Sequence, residues 1–327
     1  MTNILDVLDV PWLQDGLTRT ETRLREAVTA EDPYLTEIAG HLIGAGGKRL
    51  RPVLAMMAAA AGGAVVTNDV VTGGVSVELV HIGSLYHDDV MDDAETRRGV
   101  PSVNAKWGNL VAILSGDFLL SRASELAASL GTEVAGLLAA TIGRLCEGQV
   151  GELKTAYSAD RSEAAHAASI NGKTASLLAT ASRIGGIVSD LPRQQIDALT
   201  TFGDHFGMAF QLIDDVLDLI ATDEELGKPA GNDMVEGVYT LPVIRALTDK
   251  EIGPQLRPLL GSHLDRAARD TARELVRASD GISYTIDRAR DYLAGGNDAL
   301  GALPSNAARD SLARMGDALI DSLPRRA

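Results

Sequence analysis

The distribution of proline is the feature of this 327-residue chain that most limits its possible folds. Proline is absent from residues 53–100, 102–191 and 193–228. Because a proline inside a helix removes a hydrogen bond and clashes with the preceding turn, such long proline-free stretches favour long helices. The chain is 45% hydrophobic but only 4% aromatic, whereas strands draw on aromatic and β-branched residues. We therefore expect an all-α fold.

Apolar residues recur at helical spacing in all three stretches, and no segment alternates convincingly enough to predict a strand. Turn residues at 44–47, 99–101, 191–192 and 228–232 separate the predicted helices. No linker, charge block or internal period divides the chain. We therefore expect one large helical domain over residues 1–327. The apolar positions at helical spacing are Val75, Leu79, Ile82, Leu85, Tyr86, Leu110, Ile113, Leu114, Leu119, Phe206, Phe210, Ile213 and Leu217.

Charge and cysteine content exclude several classes of protein. A formal charge of −15 argues against a nucleic-acid partner, because phosphate backbones attract positively charged surfaces. Cys146 is the only cysteine, so no intrachain disulfide can form. The N-terminus lacks the pattern of a secretory signal, and the longest apolar stretch, 53–66, is well short of the roughly 20 residues that span a bilayer. We expect a cytoplasmic protein.

Two aspartate clusters with the spacing Asp-Asp-x-x-Asp lie far apart in the chain. On a helix, the first aspartate and the one four positions later share a face, so each cluster presents two carboxylates in one direction. A hard divalent cation with oxygen ligands, Mg²⁺ in particular, relieves this repulsion and also binds phosphate oxygens. The pattern predicts a metal-bridged diphosphate between two helices. The clusters contain Asp88, Asp89, Asp92 and Asp93, and then Asp214, Asp215 and Asp218.

A single cluster of this kind is as readily explained by an acidic helix face in water. The apolar residues directly before each cluster, 82–86 and 210–213, indicate instead that both helices are largely buried. Buried carboxylates must be paired or metal-bound. An EF-hand is a poor alternative because neither cluster has the central glycine or the terminal glutamate of that loop.

Basic residues lie close to the predicted helix ends. The segment 46–52 places Lys48, Arg49 and Arg51 at the start of a helix, where backbone N–H groups favour an anion. Arg97 and Arg98 follow the first acidic cluster. Either group alone could belong to a solvated turn, but guanidinium groups beside carboxylates are typical of sites for metal-bridged and directly bound phosphates.

Six motifs together make the chain resemble the trans-prenyltransferases, the polyprenyl diphosphate synthase family. They lie between residues 46 and 233 in the family's order, and the resemblance covers at least residues 46–242. The resemblance implies an all-α bundle of the isoprenoid synthase type around a deep central cavity, a homodimer, and three Mg²⁺ ions per active site. The motifs are GGKRLRP at 46–52, HDDVMDDAETRRG at 87–99, GDFLL at 116–120, GKTA at 172–175, FQLIDDVLD at 210–218 and GKPAGND at 227–233.

The implied reaction is the head-to-tail condensation of isopentenyl diphosphate onto an allylic diphosphate. The allylic C–O bond ionises, the isopentenyl double bond attacks the cation, and a proton leaves to the released diphosphate. No protein nucleophile is needed, and the chain has neither a G-x-S-x-G elbow nor a P-loop. A long product of about C30 to C50, such as a quinone side-chain precursor, would require at most peripheral membrane contact for its release.

The resemblance assigns roles position by position. His81 on an apolar helix could be a core residue, but its place seven residues before Asp88 matches a substrate-binding position. His87, Met91, Cys146 and Tyr86 are interpreted as structural. The implied metal ligands are Asp88, Asp92 and Asp214, with Asp89, Asp93, Asp215 and Asp218 as direct or indirect helpers. The implied allylic diphosphate contacts are Arg97, Lys173 and Lys228, the isopentenyl diphosphate contacts are Lys48, Arg51, His81 and Arg98, and the groups facing the carbocation are Thr174 and Gln211.

Product length should depend on the residues just before the first cluster. Val80, Gly83 and Ser84 are expected to line the upper pocket, and none of them is bulky enough to block a growing chain. The helix from Asn109 to Leu130 is expected to form its floor. One departure from the family pattern is Val238, which stands where a lysine is usual and removes one diphosphate contact.

Three alternatives remain open on the sequence. A farnesyl or geranylgeranyl diphosphate synthase shares the same motifs and differs in pocket depth. A non-catalytic partner subunit of a synthase would be marked by loss of the aspartates, which are intact here. A terpene cyclase usually replaces the second cluster with a mixed Asn/Ser/Glu motif, which Asp214 and Asp218 argue against.

Overall fold

The computed structural model describes residues 4–222 and 230–324, which are mostly helical. The all-α prediction is confirmed. None of the helices in these two ranges combines the length and the apolar character that crossing a bilayer requires. The elements are α1 (Leu13–Ala27), α2 (Pro33–Gly44), α3 (Leu50–Ala61), α4 (Asn68–Met91), β1 (Thr96–Arg97), β2 (Val100–Pro101), α5 (Val103–Trp107), α6 (Asn109–Ser129), α7 (Thr132–Lys154), α8 (Glu163–Ile170), α9 (Ser176–Ile187), α10 (Arg193–Ile220), α11 (Asn232–Val235), α12 (Leu241–Ala246), α13 (Gly253–Leu256), α14 (Arg266–Ala278), α15 (Gly281–Ala299) and α16 (Ala307–Asp321), with short 3₁₀ turns at Ile4–Val7, Arg257–Leu259 and Leu300–Ala302 and a π-helical turn at Asn171–Ala175.

Local chemistry sets several helix starts. The Asp32 carboxylate accepts a hydrogen bond from the Tyr34 N–H at 2.9 Å, and Pro33 occupies the first turn of α2, where its missing N–H is harmless. The Ser162 hydroxyl accepts from the Ala165 N–H at the start of α8. Pro192 lies immediately before α10. The predicted breaks at 44–47 and 191–192 fall between helices, and the one at 99–101 falls in a hairpin. The predicted break at 228–232 lies partly outside the described residues.

The long helices enclose one main apolar core. Helix α4 packs against α1, α3, α6 and α9, while α10 packs against α9 and α15. Leu79 and Ile82 of α4, Leu119 of α6 and Phe206 of α10 are almost completely buried. A smaller apolar cluster joins Leu219, at the end of α10, to helices α11–α14. Both aspartate clusters therefore lie on helices that the main core holds in place.

A two-stranded hairpin follows α4. Strands β1 and β2 pair antiparallel, with Arg97 opposite Val100. Arg98 and Gly99 between them have φ values of 53° and 76°, the left-handed pair that a tight hairpin turn requires. Two-residue strands leave no alternating pattern, so the sequence did not reveal this hairpin. Its effect is to turn Arg97 back toward Asp89 of α4, while the Arg98 side chain donates to the Leu42 and Gly46 carbonyls.

Candidate active site

The first aspartate cluster ends helix α4. The Asp92 N–H donates to the Asp88 carbonyl at 2.9 Å, so the helical path continues through Asp92 and keeps the two side chains on one face. Asp93, with a φ of 48°, then terminates the helix. Burial raises the pKa of both Asp88 and Asp92; Lys173 opposes this rise, and the charges of neighbouring acidic groups add to it. The pair is electrostatically suited to a cation.

Asp89 has a different environment from its neighbours. It is fully buried, its Oδ1 atom accepts a hydrogen bond from Arg97 Nε at 2.7 Å, and the same oxygen forms an ion pair with Arg97 Nη2 at 2.6 Å. The ion pair ties the hairpin to α4. The roles of Asp89 as a metal ligand and of Arg97 as a diphosphate contact stay predictions, and this contact gives both residues a structural role as well.

The second cluster lies near the end of α10, where its members differ in exposure. Asp214 is exposed, whereas Asp215 and Asp218 are almost fully buried. Asp215 Oδ2 lies 3.0 Å from His166 Nε2, and Asp215 Oδ1 accepts from Gln211 Nε2 at 3.1 Å. The Asp218 carbonyl accepts from the Gly231 N–H at 2.7 Å. Asp214 is therefore the member of the cluster most accessible to a metal.

Lys173 and Thr174 lie on the π-helical turn Asn171–Ala175, and such turns occur often at functional sites. Lys173 Nζ donates to Glu152 Oε1 at 2.8 Å, and Thr174 Oγ1 donates to Gln211 Oε1 at 2.8 Å. Burial alone would lower the pKa of Lys173, but Glu152 and Asp88 outweigh it, so the net shift is upward. The ammonium group therefore stays charged beside the first aspartate cluster.

A close helix contact positions this turn. A Cβ atom at Gly148 of α7 would lie 2.7 Å from the Lys173 backbone nitrogen, and one at Gly172 would lie 2.7 Å from the Arg144 carbonyl. Only glycine allows the two backbones to approach this closely. The contact brings Glu152, one turn after Gly148 on α7, to Lys173.

A small cavity of about 130 Å³ lies between these elements, and we call it the acidic cavity. Thr174, Gln211 and Asp215 line it together with Val238, the position where the family resemblance leads us to expect lysine. The other lining residues are Glu152, His166, Ile170, Lys173, Asp233, Glu236 and Thr240. The valine therefore lines the acidic cavity, and its effect on diphosphate binding stays a prediction. Lys228, predicted to act here, lies outside the described residues.

A second cavity of about 340 Å³, which we call the basic cavity, brings together all four residues predicted to bind isopentenyl diphosphate. They are Lys48, Arg51, His81 and Arg98. Burial, opposed by Glu78 and aided by Arg98, lowers the pKa of Arg51 to about 10. Burial and the neighbouring arginines hold the pKa of His81 well below its ordinary value. The histidine is thus neutral while the arginines are charged. Thr174 lines this cavity as well as the acidic one.

Glu78 was missed by the sequence reasoning. It is 1% exposed and lies 3.4 Å from Arg49 Nη1 and 3.9 Å from Arg51 Nη1. Arg49 also pairs with Glu21 at 2.6 Å, so its guanidinium serves the fold. The sequence did contain a signal for this pairing: Glu78 is the only acidic residue in the apolar run 75–82, and a buried charge needs a partner.

The residues predicted to set product length lie on the inner side of α4. Val80 is fully buried, and a Cβ atom at Gly83 would lie 3.1 Å from the Gly116 carbonyl of α6. The Ser84 hydroxyl donates to the His81 carbonyl at 2.9 Å. None of the three lines the acidic or the basic cavity, so their role stays a prediction. Tyr86 is fully buried and donates to the Ile38 carbonyl at 2.7 Å, as expected of a core residue.

Carboxylates lie near the ends of two helices, with Lys173 beside the first cluster and a basic cavity next to the acidic one. These groups are those of a helical enzyme that acts on diphosphates. Residues 32–278 match the sequence profile of the family described as Polyprenyl synthetase. The chain belongs to this family, whose members are prenyltransferases, and its fold is the all-α isoprenoid synthase fold.

Similar proteins include long-chain synthases. The chain is 39% identical over 307 residues to the nonaprenyl diphosphate synthase of Mycobacterium tuberculosis, covering 92% of this chain and 91% of that one. It is 38% identical to heptaprenyl diphosphate synthase component 2 of Geobacillus stearothermophilus, covering 92% and 94%. The crystal structure of the Caulobacter crescentus polyprenyl synthase complexed with calcium and isoprenyl diphosphate matches with a TM-score of 0.91 at 32% identity, covering 100% and 99%.

Proposed function

We propose that this protein condenses isopentenyl diphosphate head-to-tail onto an allylic diphosphate and makes a long trans-polyprenyl diphosphate of about C30 to C50. The main observation behind the proposal is the position of Thr174, which lines both the acidic and the basic cavity. Two diphosphates bound in the two cavities would meet at this side chain. The names of the similar nonaprenyl and heptaprenyl synthases support a long product.

The donor set fits Mg²⁺. Asp88 and Asp92 share one face at the end of α4, and Asp214 is exposed on α10. No group of three or more metal-binding side chains is preassembled among the described residues, and Mg²⁺ commonly takes its remaining oxygens from substrate phosphates and water. We propose that three ions bind here with the allylic diphosphate. When bound, they supply positive charge that stabilises the departing diphosphate.

Protein groups would hold and orient the substrates. Lys173, near Asp88 and Asp92, would contact the allylic diphosphate together with Arg97. Arg51 and Arg98 would hold isopentenyl diphosphate in the basic cavity, with His81 as a neutral hydrogen-bonding group. After the allylic C–O bond ionises, the isopentenyl double bond attacks the cation, and a proton is lost to the released diphosphate.

The activity is tested by incubating the purified protein with labelled isopentenyl diphosphate, Mg²⁺ and each of three allylic primers. The dephosphorylated products are then sized by chromatography. A ladder that ends at C30 to C50 is the expected result. A ladder that stops at C15 or C20 would keep the chemistry and assign a short-chain synthase. No elongation with any primer would contradict the proposal and favour a partner subunit.

Replacing Arg51 with glutamine should weaken isopentenyl diphosphate binding selectively. Arg51 Nε is buried and has no hydrogen-bond partner among the described residues, which leaves it available to an anion. A charge-assisted hydrogen bond contributes about 1.5–3 kcal/mol, so we expect the KM for isopentenyl diphosphate to rise about 10- to 100-fold. The KM for the primer should stay nearly constant. Arg23→Gln on α1 is the control, and an equal rise in both KM values would contradict the assignment.

Replacing Ser84 with phenylalanine should shorten the product. The side chain lies one helical turn before Asp88, so a ring there would obstruct the growing chain. The product ladder should stop several isoprene units earlier than in the unsubstituted protein. Ser124→Phe, on the exposed side of α6, is the matched control. An unchanged ladder would place the pocket elsewhere. Gly83→Phe is less informative, because it would collide with α6.

We also propose that the protein is a homodimer. Leu110, Ile113 and Leu114 on one face of α6 are 71%, 42% and 58% exposed. Val150 and Leu153 near the end of α7, which packs against α6, are 47% and 56% exposed. Exposed apolar residues on adjacent helices are typical of interfaces, and a second copy of the chain is the commonest partner.

Light scattering behind size-exclusion chromatography should give twice the mass of one chain. Leu114→Glu should shift the protein to the monomer, because it buries a charge in the interface. Val65→Glu, at a residue that is 79% exposed on another surface, is the control. A monomer at micromolar concentration would contradict the proposal. That result would favour assembly with a different subunit, because the similar protein of Geobacillus stearothermophilus is named as component 2 of its synthase.

A further inference from the structure

Four side chains in the acidic cavity form one continuous chain of hydrogen bonds. His166 Nε2 lies 3.0 Å from Asp215 Oδ2, Gln211 Nε2 donates to Asp215 Oδ1 at 3.1 Å, and Thr174 Oγ1 donates to Gln211 Oε1 at 2.8 Å. His166 and Asp215 are each 2% exposed, so water does not compete for their contact. The chain connects α8, α10 and the π-helical turn.

We propose that His166 is a positioning residue that fixes the direction of the Thr174 hydroxyl through Asp215 and Gln211. This inference rests on the proposed prenyl transfer, in which Thr174 faces the developing carbocation. None of the six motifs includes His166, which lies seven residues before Lys173. Its position in the fold, and not a sequence pattern, brings it to the second aspartate cluster.

The direction of each hydrogen bond follows from which groups can donate. An ionised carboxylate only accepts, so both neighbours of Asp215 must turn N–H groups toward it. His166 therefore donates through Nε2, and the Gln211 amide presents its nitrogen to Asp215. The Gln211 carbonyl oxygen must then face Thr174, which donates its only hydroxyl hydrogen to it. The flipped amide would place two oxygens against each other at Asp215.

The consequence for catalysis is that the Thr174 O–H bond points in one fixed direction. With its hydrogen committed to Gln211, Thr174 keeps its lone pairs for the space between the two cavities. An oxygen dipole held in advance toward a developing cation lowers the barrier without rearrangement at the moment of reaction. His166 holds Asp215 on the side opposite Gln211, and without it the carboxylate and the amide could rotate.

The test compares His166→Phe, which keeps a ring but has no donor, with His166→Gln, whose amide nitrogen can reach where Nε2 lies. Single-turnover condensation is measured, because product release can limit kcat. Losing one oriented dipole at a reacting centre typically slows reactions 10²- to 10³-fold, and an indirect loss should be smaller. We expect about a 10- to 100-fold slower step for the Phe variant, with both KM values within about threefold, and most of the rate restored by Gln.

A double-mutant cycle with Thr174→Val separates positioning from a general loss of packing. If His166 acts through Thr174, His166→Phe should slow the Thr174→Val protein far less than it slows the unsubstituted one. Equal slowing in both backgrounds, or a Gln variant no faster than the folded Phe variant, would overturn the inference. If the Phe variant does not fold, the flexible apolar His166→Met takes its place in the cycle.

Thr141→Val is the matched control for stability. It removes a buried hydrogen bond of 2.6 Å between Thr141 of α7 and Thr180 of α9, away from the chain of four. It should lower the melting temperature without changing the single-turnover rate. Failure of the proposed function would appear separately, as a lack of condensation by the unsubstituted protein.

Discussion

Replacing Asp88 with asparagine should lower the condensation rate by about 10³-fold or more. The change removes one of two carboxylates that share a face at the end of α4. We propose that this carboxylate binds the ions that stabilise the departing diphosphate. Metal stabilisation of a transition state is typically several kcal/mol, and each 1.36 kcal/mol corresponds to a tenfold rate. Steady-state rates at saturating Mg²⁺ measure the effect.

The same substitution should not destabilise the metal-free protein. Burial raises the pKa of Asp88, which means that folding disfavours its ionised form, so at neutral pH the charge opposes folding. The melting temperature without Mg²⁺ should therefore stay constant or rise, while the stabilisation by Mg²⁺ should shrink. Asp317→Asn, on the exposed face of α16, is the control. An active Asp88→Asn protein would remove Asp88 from the metal site.

Replacing Gly185 with alanine should destabilise the fold by about 3 kcal/mol or more. A Cβ atom at this position of α9 would lie 2.1 Å from the carbonyl oxygen of Ala55 in α3. The obstacle is backbone at a buried helix crossing, so no side-chain rotation can relieve the clash. Urea unfolding measures the loss, and α3 and α9 would have to separate before the alanine could be accommodated.

Gly40→Ala in α2 is the matched control, because a Cβ atom there would meet nothing within 4 Å. Alanine has the higher helix propensity, so this variant should gain about 0.5–1 kcal/mol. The same glycine-to-alanine change should therefore lower the free energy of unfolding at position 185 and raise it at position 40. A Gly185→Ala protein as stable as the unsubstituted one would contradict the close contact between the backbones of α3 and α9.

Helices and motifs were predictable because their signals are local. Proline spacing and apolar periodicity depend only on near neighbours, and they located α4, α6 and α10 before any contact was known. The helix expected from Asn109 to Leu130 extends over Asn109–Ser129. The core role of Tyr86 also followed from local spacing, because a residue two positions before Asp88 points away from the aspartate face.

Pairings between distant residues were not predictable. Nothing near Asp89 indicated that Arg97 would neutralise it while Asp88 stayed available, and nothing near His166 indicated Asp215, 49 residues away. The partners of Glu152 and Glu78, Lys173 and Arg51, became known only from the tertiary structure. Members of one cluster look equivalent in sequence, because the motif does not record which face of the helix is covered.

The amino-acid sequence by itself therefore determined the class of this protein, an all-helical prenyltransferase with aspartates near two helix ends and basic residues nearby. The tertiary structure alone decided which of those groups pair with one another. It assigned Asp89 to Arg97, Asp215 to His166 and Gln211, and Thr174 to the boundary of two cavities. The physical reason is that charge and hydrogen-bond direction depend on burial and distance, which only the packing of helices far apart in the chain sets.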